Sequence, residues 1–288
     1  MKPAPFEYVR ARSPIEAVQL LANIGDGARV IAGGQSLLPA LNLRLDTPTH
    51  LIDISGIAEL RGISVKPDGI RIGAGTRHSD VERSELIAQR IPLLAEAVRH
   101  IAHPAIRNRG TIGGNLAYAD PASELPACMV ALDAVFVVLG QKGERRIPAA
   151  RFYTGMFATA LEPGEILTAI EIPSRPANEK SHFSELSRRR GDYAIIGLAC
   201  VAQARDNAFK DIRPVYLGAG DGPVLASKAR SLILSGDTSR IEAGMRDALA
   251  EDLTPQDDLQ ASAVTRLHLA AVLLKRCIAG LTGDRRAA

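Results

Sequence analysis

Two glycine pairs, each followed by an amide, constrain this chain more than any other feature. The first lies in Arg29-Val30-Ile31-Ala32-Gly33-Gly34-Gln35-Ser36-Leu37-Leu38, where an apolar β-prone run enters a glycine turn and a helix-like stretch leaves it. The second lies in Arg109-Gly110-Thr111-Ile112-Gly113-Gly114-Asn115-Leu116-Ala117. Glycine lets backbone come close to a ligand and adopt positive φ. Successive exposed N–H groups in such a turn form a nest for anionic oxygens, strengthened where a helix N-terminus follows. Neither loop ends in Gly-Lys-Ser/Thr and neither reads G-x-G-x-x-G, so the two commonest phosphate motifs are excluded. Each loop alone is also the grammar of a tight turn in an α/β protein. Together, each with a hydroxyl and an amide beside it, they point to one diphosphate held between them, and so to a dinucleotide.

Composition narrows the class. A chain of 288 residues with 46% hydrophobic residues has room for two domains and a sizeable core. No apolar run approaches the roughly 20 residues needed to cross a bilayer. The segment Met1-Lys2-Pro3-Ala4-Pro5-Phe6-Glu7 lacks a signal-peptide core, so a cytoplasmic location is expected. A net charge of +3, dispersed, gives no argument for nucleic acid. The one basic run, Arg188-Arg189-Arg190, reads as a solvated face, though Gly191-Asp192-Tyr193 follows it directly. Cys128, Cys200 and Cys277 are far apart and form no C-x-x-C, which argues against an iron–sulfur cluster or zinc ribbon held by this chain. His100 and His103 have no third ligand nearby in sequence, so no metal site is expected.

Periodicity and punctuation place the elements. Ser13-Pro14-Ile15-Glu16 predicts a capped helix start with a capping box, ending near Gly25. Strands are expected at 29–32 and 50–54, a short helix at 37–45, and a hairpin of 60–65 with 70–75 around Lys66-Pro67-Asp68-Gly69. Residues 80–101 read as helix broken near Pro92, 130–139 as including a buried strand, and 166–172 as another. A domain boundary is placed in the polar, proline-containing stretch 173–180. Beyond it, strands at 182–186, 194–204 and 212–219 precede helices at 224–234, 240–250 and 262–281, an α+β arrangement.

Three motifs together resemble the FAD-binding medium subunit of molybdenum hydroxylases: Ala32-Gly33-Gly34-Gln35-Ser36-Leu37-Leu38-Pro39, Ile106-Arg107-Asn108-Arg109-Gly110-Thr111-Ile112-Gly113-Gly114-Asn115, and Arg189-Arg190-Gly191-Asp192-Tyr193-Ala194. The resemblance covers nearly the whole chain. It is nearest to the medium subunit of aerobic carbon monoxide dehydrogenase and more distant from the FAD domain of xanthine dehydrogenase. It implies an FAD-binding region over 1–175, in two subdomains of about 1–55 and 56–175 of the vanillyl-alcohol oxidase type. It also implies a C-terminal domain over 176–288 with a small antiparallel sheet and three helices. The implied cofactor is FAD. The implied partners are an iron–sulfur small subunit and a molybdopterin large subunit, as a dimer of heterotrimers. Electrons would pass from two [2Fe–2S] clusters through FAD to an external acceptor, with association to the inner membrane face through that acceptor.

By position, the resemblance implies that Ala32, Gly33, Gly34, Gln35, Ser36 and Leu37, with Thr111, Ile112, Gly113, Gly114 and Asn115, hold the diphosphate and ribityl. It implies that Glu124 faces the adenosine side, where a carboxylate can accept ribose hydroxyls; an exposed turn acid is the alternative reading. Leu167 falls on the strand resembling the adenine-contacting one, and Asp192 and Tyr193 fall near the isoalloxazine ring. Glu185 stands where the family often has lysine; either Arg188 or Arg189 substitutes as the cation, or that contact is missing. The substrate stays open, with carbon monoxide set beside N-heteroaromatics, purines, aldehydes and aromatic thioesters. Two other classes remain as rivals, a flavin-free assembly module and a free-standing flavin oxidase.

Overall fold

Three short parallel strands begin the fold. They are β1 (Glu7–Arg10), β2 (Ala28–Ile31) and β3 (His50–Asp53), in the order β1-β3-β2. This computed structural model describes residues 2–205 and 208–282. The expected domain limits at residue 1 and at 283–288, and residues 206–207 within the second domain, lie outside the described residues. Between β1 and β2 runs α1 (Pro14–Ile24). Ser13 Oγ accepts the Glu16 N–H at 3.1 Å, and Gly25 at φ 73° ends the helix. The capping box is shifted by one residue, because the Glu16 carboxylate accepts from the Arg12 N–H at 2.7 Å rather than from Ser13. Between β2 and β3 lies α2 (Leu37–Asn42).

The second sheet has five antiparallel strands, in the order β4 (Ile63–Lys66), β5 (Gly69–Gly73), β10 (Ile166–Pro173), β6 (Val135–Gly140) and β7 (Gly143–Pro148). The expected hairpin is β4 (Ile63–Lys66) and β5 (Gly69–Gly73). Six short helices then leave and re-enter the sheet: α3 (His78–Arg83), α4 (Glu85–Arg90), α5 (Pro92–Ala97), α6 (Pro104–Arg107), α7 (Ile112–Tyr118) and α8 (Glu124–Ala131). The helical stretch expected at 80–101 breaks at Ser84 as well as at Pro92. Ser84 is extended (φ −76°, ψ 112°), and its Oγ caps the next helix at the Ile87 N–H. The apolar run 130–139 divides: Val130 and Ala131 close α8, Asp133 turns the chain at φ 53°, and β6 (Val135–Gly140) follows. Hydrophobicity alone does not separate a buried helix end from a buried strand. β7 (Gly143–Pro148), the small ribbon β8 (Tyr153–Gly155) with β9 (Ala158–Thr159), and β10 (Ile166–Pro173) complete this part.

The third sheet, β11 (Glu179–Leu186), β12 (Ile196–Arg205), β13 (Ala208–Leu217) and β14 (Val224–Leu225), is antiparallel in that order. Val224 and Leu225, read from sequence as the start of a helix, form β14, and the helix α9 begins later (Ser227–Leu234). α10 (Thr238–Asp252) and α11 (Ala263–Thr282) follow.

This sheet is covered on both faces, and the alternation of side chains shows how. Ala199, Val201, Val215 and Leu217 join the core formed with Leu93, Leu94, Ala127 and Cys128 of α5 and α8. Leu198, Cys200, Ala202, Ile212 and Tyr216 point the other way, into a core with Ala229, Leu249, Ala270, Leu273 and Cys277. The Tyr216 hydroxyl, fully buried there, donates to the Ala270 carbonyl at 2.9 Å, so the polar group is satisfied. Cys128, Cys200 and Cys277 are all free and buried.

Candidate cofactor-binding cleft

The end of β2, the start of α7, the start of α8, β10 and the loop after β11 enclose a cleft of about 640 Å³. That volume is within the range of small-molecule and cofactor sites. Fourteen of the fifteen residues singled out from the sequence line it, all but Ile112. Ile112 is fully buried in the core, and its N–H donates to the Thr76 carbonyl at 2.9 Å. Its role is to seat α7, because a large β-branched side chain beside the glycines anchors them from below.

The two glycine loops touch. A Cβ on Gly33 would run into the Arg109 carbonyl and lie 2.8 Å from the Gly110 Cα. Gly33 is therefore required by the second loop's backbone, and its φ is not positive. The left-handed residue of the first loop is Gly34, at φ 72°. Leu38 donates to the Gly34 carbonyl at 3.1 Å and Ala40 to the Ser36 carbonyl at 3.2 Å, which fixes the entry to α2. Gln35 folds its amide back onto the Gly33 carbonyl at 3.0 Å, stiffening the loop from within. Among the described residues, the backbone N–H groups of Gly33, Gly34, Gln35, Ser36 and Leu37 donate to no protein acceptor.

The second loop differs. Gly113 and Gly114 are not in a turn; they lie in the first turn of α7, with Thr111 as its N-cap. The Thr111 hydroxyl accepts the Gly114 N–H at 3.1 Å, Gly113 donates to Ala74 at 2.8 Å, and Asn115 donates to Thr111 at 3.0 Å. These donors are already satisfied, so the expected nest of free N–H groups is absent at 112–115. The glycines serve close packing instead, since a Cβ on Gly113 would overlap Ala74 and one on Gly114 would sit 2.8 Å from Thr111 Oγ1. Asn115 donates from Nδ2 to Ser123 Oγ at 2.6 Å, while its buried Oδ1 has no partner among the described residues.

Glu124 is the first residue of α8 and is only 8% exposed. It is not the exposed turn acid of the alternative reading. Burial first, then the neighbouring Glu185 and Asp120 carboxylates, push its carboxyl up to about 8, against a smaller opposing pull from its own backbone. Leu167, 5% exposed, borders the cleft from β10, where the ladder with β6 slips between Leu167 and Ala169. Tyr193 is 62% exposed and stands at the mouth with Asp192, whose N–H donates to the Arg189 carbonyl at 3.1 Å. Gly191, at φ 87°, brings this loop against His103, where a Cβ would lie 2.7 Å from the ring.

Glu185 does not line the cleft. Its side chain is 4% exposed, with Oε1 3.2 Å from His100 Nδ1 and Oε2 unpartnered. Arg188 and Arg189 are exposed and do not line the cleft.

Sequence reasoning missed His78, which opens α3 and lies in the cleft wall. It is 4% exposed, and among the described residues neither ring nitrogen has a hydrogen-bond partner. Burial lowers its pKa to about 4, against the backbone of Thr111, while the Arg107 cation lowers it further. Its ring backs Gly110, where a Cβ would be 3.0 Å from Nδ1. The only sequence signal was its place just after the small-residue run Gly73-Ala74-Gly75-Thr76. Arg107, 9% exposed, pins the same segment by pairing with Glu82 at 2.8 Å and donating to the carbonyls of Ile101 and Ala102.

A preformed cradle of backbone donors, glycines that admit no side chain, and an unpartnered Asn115 oxygen all fit a polyoxygenated, anionic dinucleotide. Comparison with known proteins agrees. The family model described as "FAD binding domain in molybdopterin dehydrogenase" matches residues 4–175, and "CO dehydrogenase flavoprotein C-terminal domain" matches 181–281. The chain is 39% identical to 6-hydroxypseudooxynicotine dehydrogenase complex subunit alpha of Paenarthrobacter nicotinovorans, covering 97% of this chain and 95% of that one. Carbon monoxide dehydrogenase from Hydrogenophaga pseudoflava superposes with a TM-score of 0.93 at 37% identity, over 96% of this chain and 97% of that one. Quinoline 2-oxidoreductase from Pseudomonas putida 86 gives a TM-score of 0.91 at 34% identity, over 98% and 99%. The fold and cleft therefore define a flavoprotein subunit of an oxidoreductase. The chain belongs to the family of FAD-binding medium subunits of molybdenum hydroxylases, in which carbon monoxide and xanthine dehydrogenases are grouped.

Proposed function

We propose that this chain relays electrons from [2Fe–2S] clusters of a small partner subunit, through one non-covalently held FAD, to an external acceptor. The observation that carries this reading is the run of five free N–H groups, Gly33 to Leu37, on the wall of a cleft whose family is FAD-binding. FAD supplies the redox chemistry, taking up two electrons and releasing them singly or in pairs. The protein's part is to hold and orient it. The first loop grips the diphosphate through its backbone, and Asn115 Oδ1 accepts from the adjoining ribityl. Glu124 and Leu167 border the adenosine end, and Asp192 and Tyr193 flank the isoalloxazine ring.

The proposal extends to the assembly. Substrate is oxidised at molybdenum in a large subunit, and the complex is a cytoplasmic dimer of heterotrimers that meets its acceptor at the inner membrane face. The FAD-binding region, 1–175, is of the vanillyl-alcohol oxidase type with subdomains at about 1–55 and 56–175, and 176–288 forms the second domain. Carbon monoxide is the first candidate substrate. Relatives named for a pseudooxynicotine and a quinoline, at 39% and 34% identity, favour N-heteroaromatics as the second.

The test uses the purified chain. Acid should release all flavin, with the mass of FAD. In stopped flow, dithionite should bleach the flavin, but substrates should bleach it only once the two partner subunits are added. A colourless protein that takes up no FAD would support the assembly module. Rapid bleaching by substrate with this chain alone would revive the free-standing oxidase.

A further inference from the structure

We propose that Phe157, at the tip of the β8–β9 ribbon, is the stacking platform for the adenine of the cleft's dinucleotide, with the Tyr118 ring as its brace. The inference rests on the reading of the cleft as a site for FAD. Phe157 lines the cleft yet is 53% exposed, a large apolar ring left half in water at the edge of a ligand site. Among the described residues it is also the one aromatic side chain held in the left-handed region, at φ 53°. That conformation is a true outlier for a bulky residue. It falls at the second central position of a two-residue turn, since Gly155 pairs with Ala158, and a positive φ at that position favours glycine.

The surrounding structure enforces the outlier. The Phe157 N–H donates to the Ala119 carbonyl at 3.2 Å, and Ala119, which ends α7, is itself left-handed at φ 55°. One of these strained residues is on the ribbon and the other on the helix that carries the second glycine loop. Such residues persist only where packing over-determines them, and they gather at ligand clamps. The base of the ribbon supplies that packing. Phe152 and Tyr153 meet Phe136 edge-to-face in the core, and the Ala160 N–H donates to the Phe152 carbonyl at 2.7 Å. At the tip, the Phe157 ring meets the Tyr118 ring edge-to-face, with centroids 5.3 Å apart and planes at 72°. That arrangement leaves one face of the Phe157 ring clear of Tyr118, open to a third planar group. Both chain segments lead to the adenosine end of the cleft. From Tyr118 the chain runs to Glu124 at the start of α8, and from Phe157 it runs through Leu161, another cleft residue, to Leu167 on β10. A purine has the flat face such a ring takes, and the stack needs neither a hydrogen bond nor a charge.

The test times FAD release from the loaded full chain, read as the rise in flavin fluorescence on dilution. Phe157→Ala should release FAD about tenfold faster, the loss expected for one base–aromatic stack. Phe157→Tyr should release it at the native rate. ADP carries the adenine and the diphosphate but no flavin. It should compete with FAD for the native chain at millimolar concentration, and its affinity should fall in Phe157→Ala by the same factor as that of FAD. Phe157→Gly separates binding from folding. Glycine takes the left-handed turn without strain, so this apoprotein should melt no lower than that of Phe157→Ala, yet FAD should leave it just as fast. Native release rates in both Phe157→Ala and Phe157→Gly overturn the inference while leaving FAD binding intact. So does ADP that fails to compete for the native chain, or whose affinity is unchanged in Phe157→Ala, because the ring would then not be stacked on adenine. Failure of the native chain to bind FAD overturns the cleft reading and this inference with it.

Discussion

The two glycine loops look alike in sequence and do different work. At 33–37 the glycines leave donors free, and one of them, Gly34, takes a left-handed conformation. At 111–115 the backbone donors are spent inside the protein, and the glycines let α7 lie against Ala74 at the end of β5. One loop presents free donors to the cleft, and the other is the abutment that holds it in place, since Gly33 rests on Arg109 and Gly110. A motif that repeats its letters need not repeat its physics.

Substitutions can break this contrast. The largest effect is expected for Gly113→Val, which drives a branched side chain into Ala74. Overpacking of this kind costs about 1–3 kcal/mol, and more where, as here, backbone atoms stand in the way. The apoprotein should melt markedly lower, or fail to accumulate folded, before any question of flavin arises. A Gly113→Val chain with native melting and native FAD content would show that the second loop is not an abutment.

The ring behind the second loop gives the next largest signal. His78 in the folded chain holds off its proton until about pH 4, whereas an unfolded histidine takes one up near its ordinary 6.5. The unfolded state therefore binds more protons between those values, and stability falls as pH drops from 6.5 to 4. The slope is up to about 1.4 kcal/mol per pH unit. Urea unfolding of the apoprotein across that window should show it, and His78→Phe should flatten it. An unchanged slope in the variant would place the titrating group elsewhere.

Gly34→Ala probes the loop with free donors. The left-handed conformation costs a non-glycine residue about 1–2 kcal/mol, and the added methyl would meet Leu38 at 3.0 Å. FAD affinity should drop more than that strain accounts for, because the free N–H groups lose their alignment. Equal losses in stability and affinity would deny the loop its binding role. The smallest effect is expected for Thr111→Val, which removes the α7 cap for about 1 kcal/mol. FAD should remain bound, and Thr111→Ser should restore the melting temperature.

Much of this was legible in the chain beforehand, for reasons tied to particular residues. Ser13 and Pro14 announce α1 because capping is local chemistry. The strands of the C-terminal sheet are legible as apolar runs, while their antiparallel pairing follows only from the family resemblance. β1 was missed, because Glu7-Tyr8-Val9-Arg10 has no period of its own and is a strand only because β3 lies beside it. Gly113 and Gly114 were read as a turn, because glycine propensity argues against helix. The packing against Ala74 overrides that, and it joins residues almost forty positions apart. The acidic surroundings of Glu124 were illegible for the same reason: the Glu185 carboxylate acts on it from another element, β11.

The third sheet, packed on α5 and α8 by one face and on α9, α10 and α11 by the other, sets an order on the life of a newly made chain. While the ribosome has released only the first 175 or so residues, the apolar side of α8 has nothing to lie on, and the cleft lacks the wall that Gly191, Asp192 and Tyr193 provide. The last strands and helices must arrive and dock before that wall exists. Flavin capture is thus a late event in synthesis. A chain stalled or clipped near 176–178 leaves the ribosome with a sticky face and an open-sided cleft, a form for chaperones and proteases to handle.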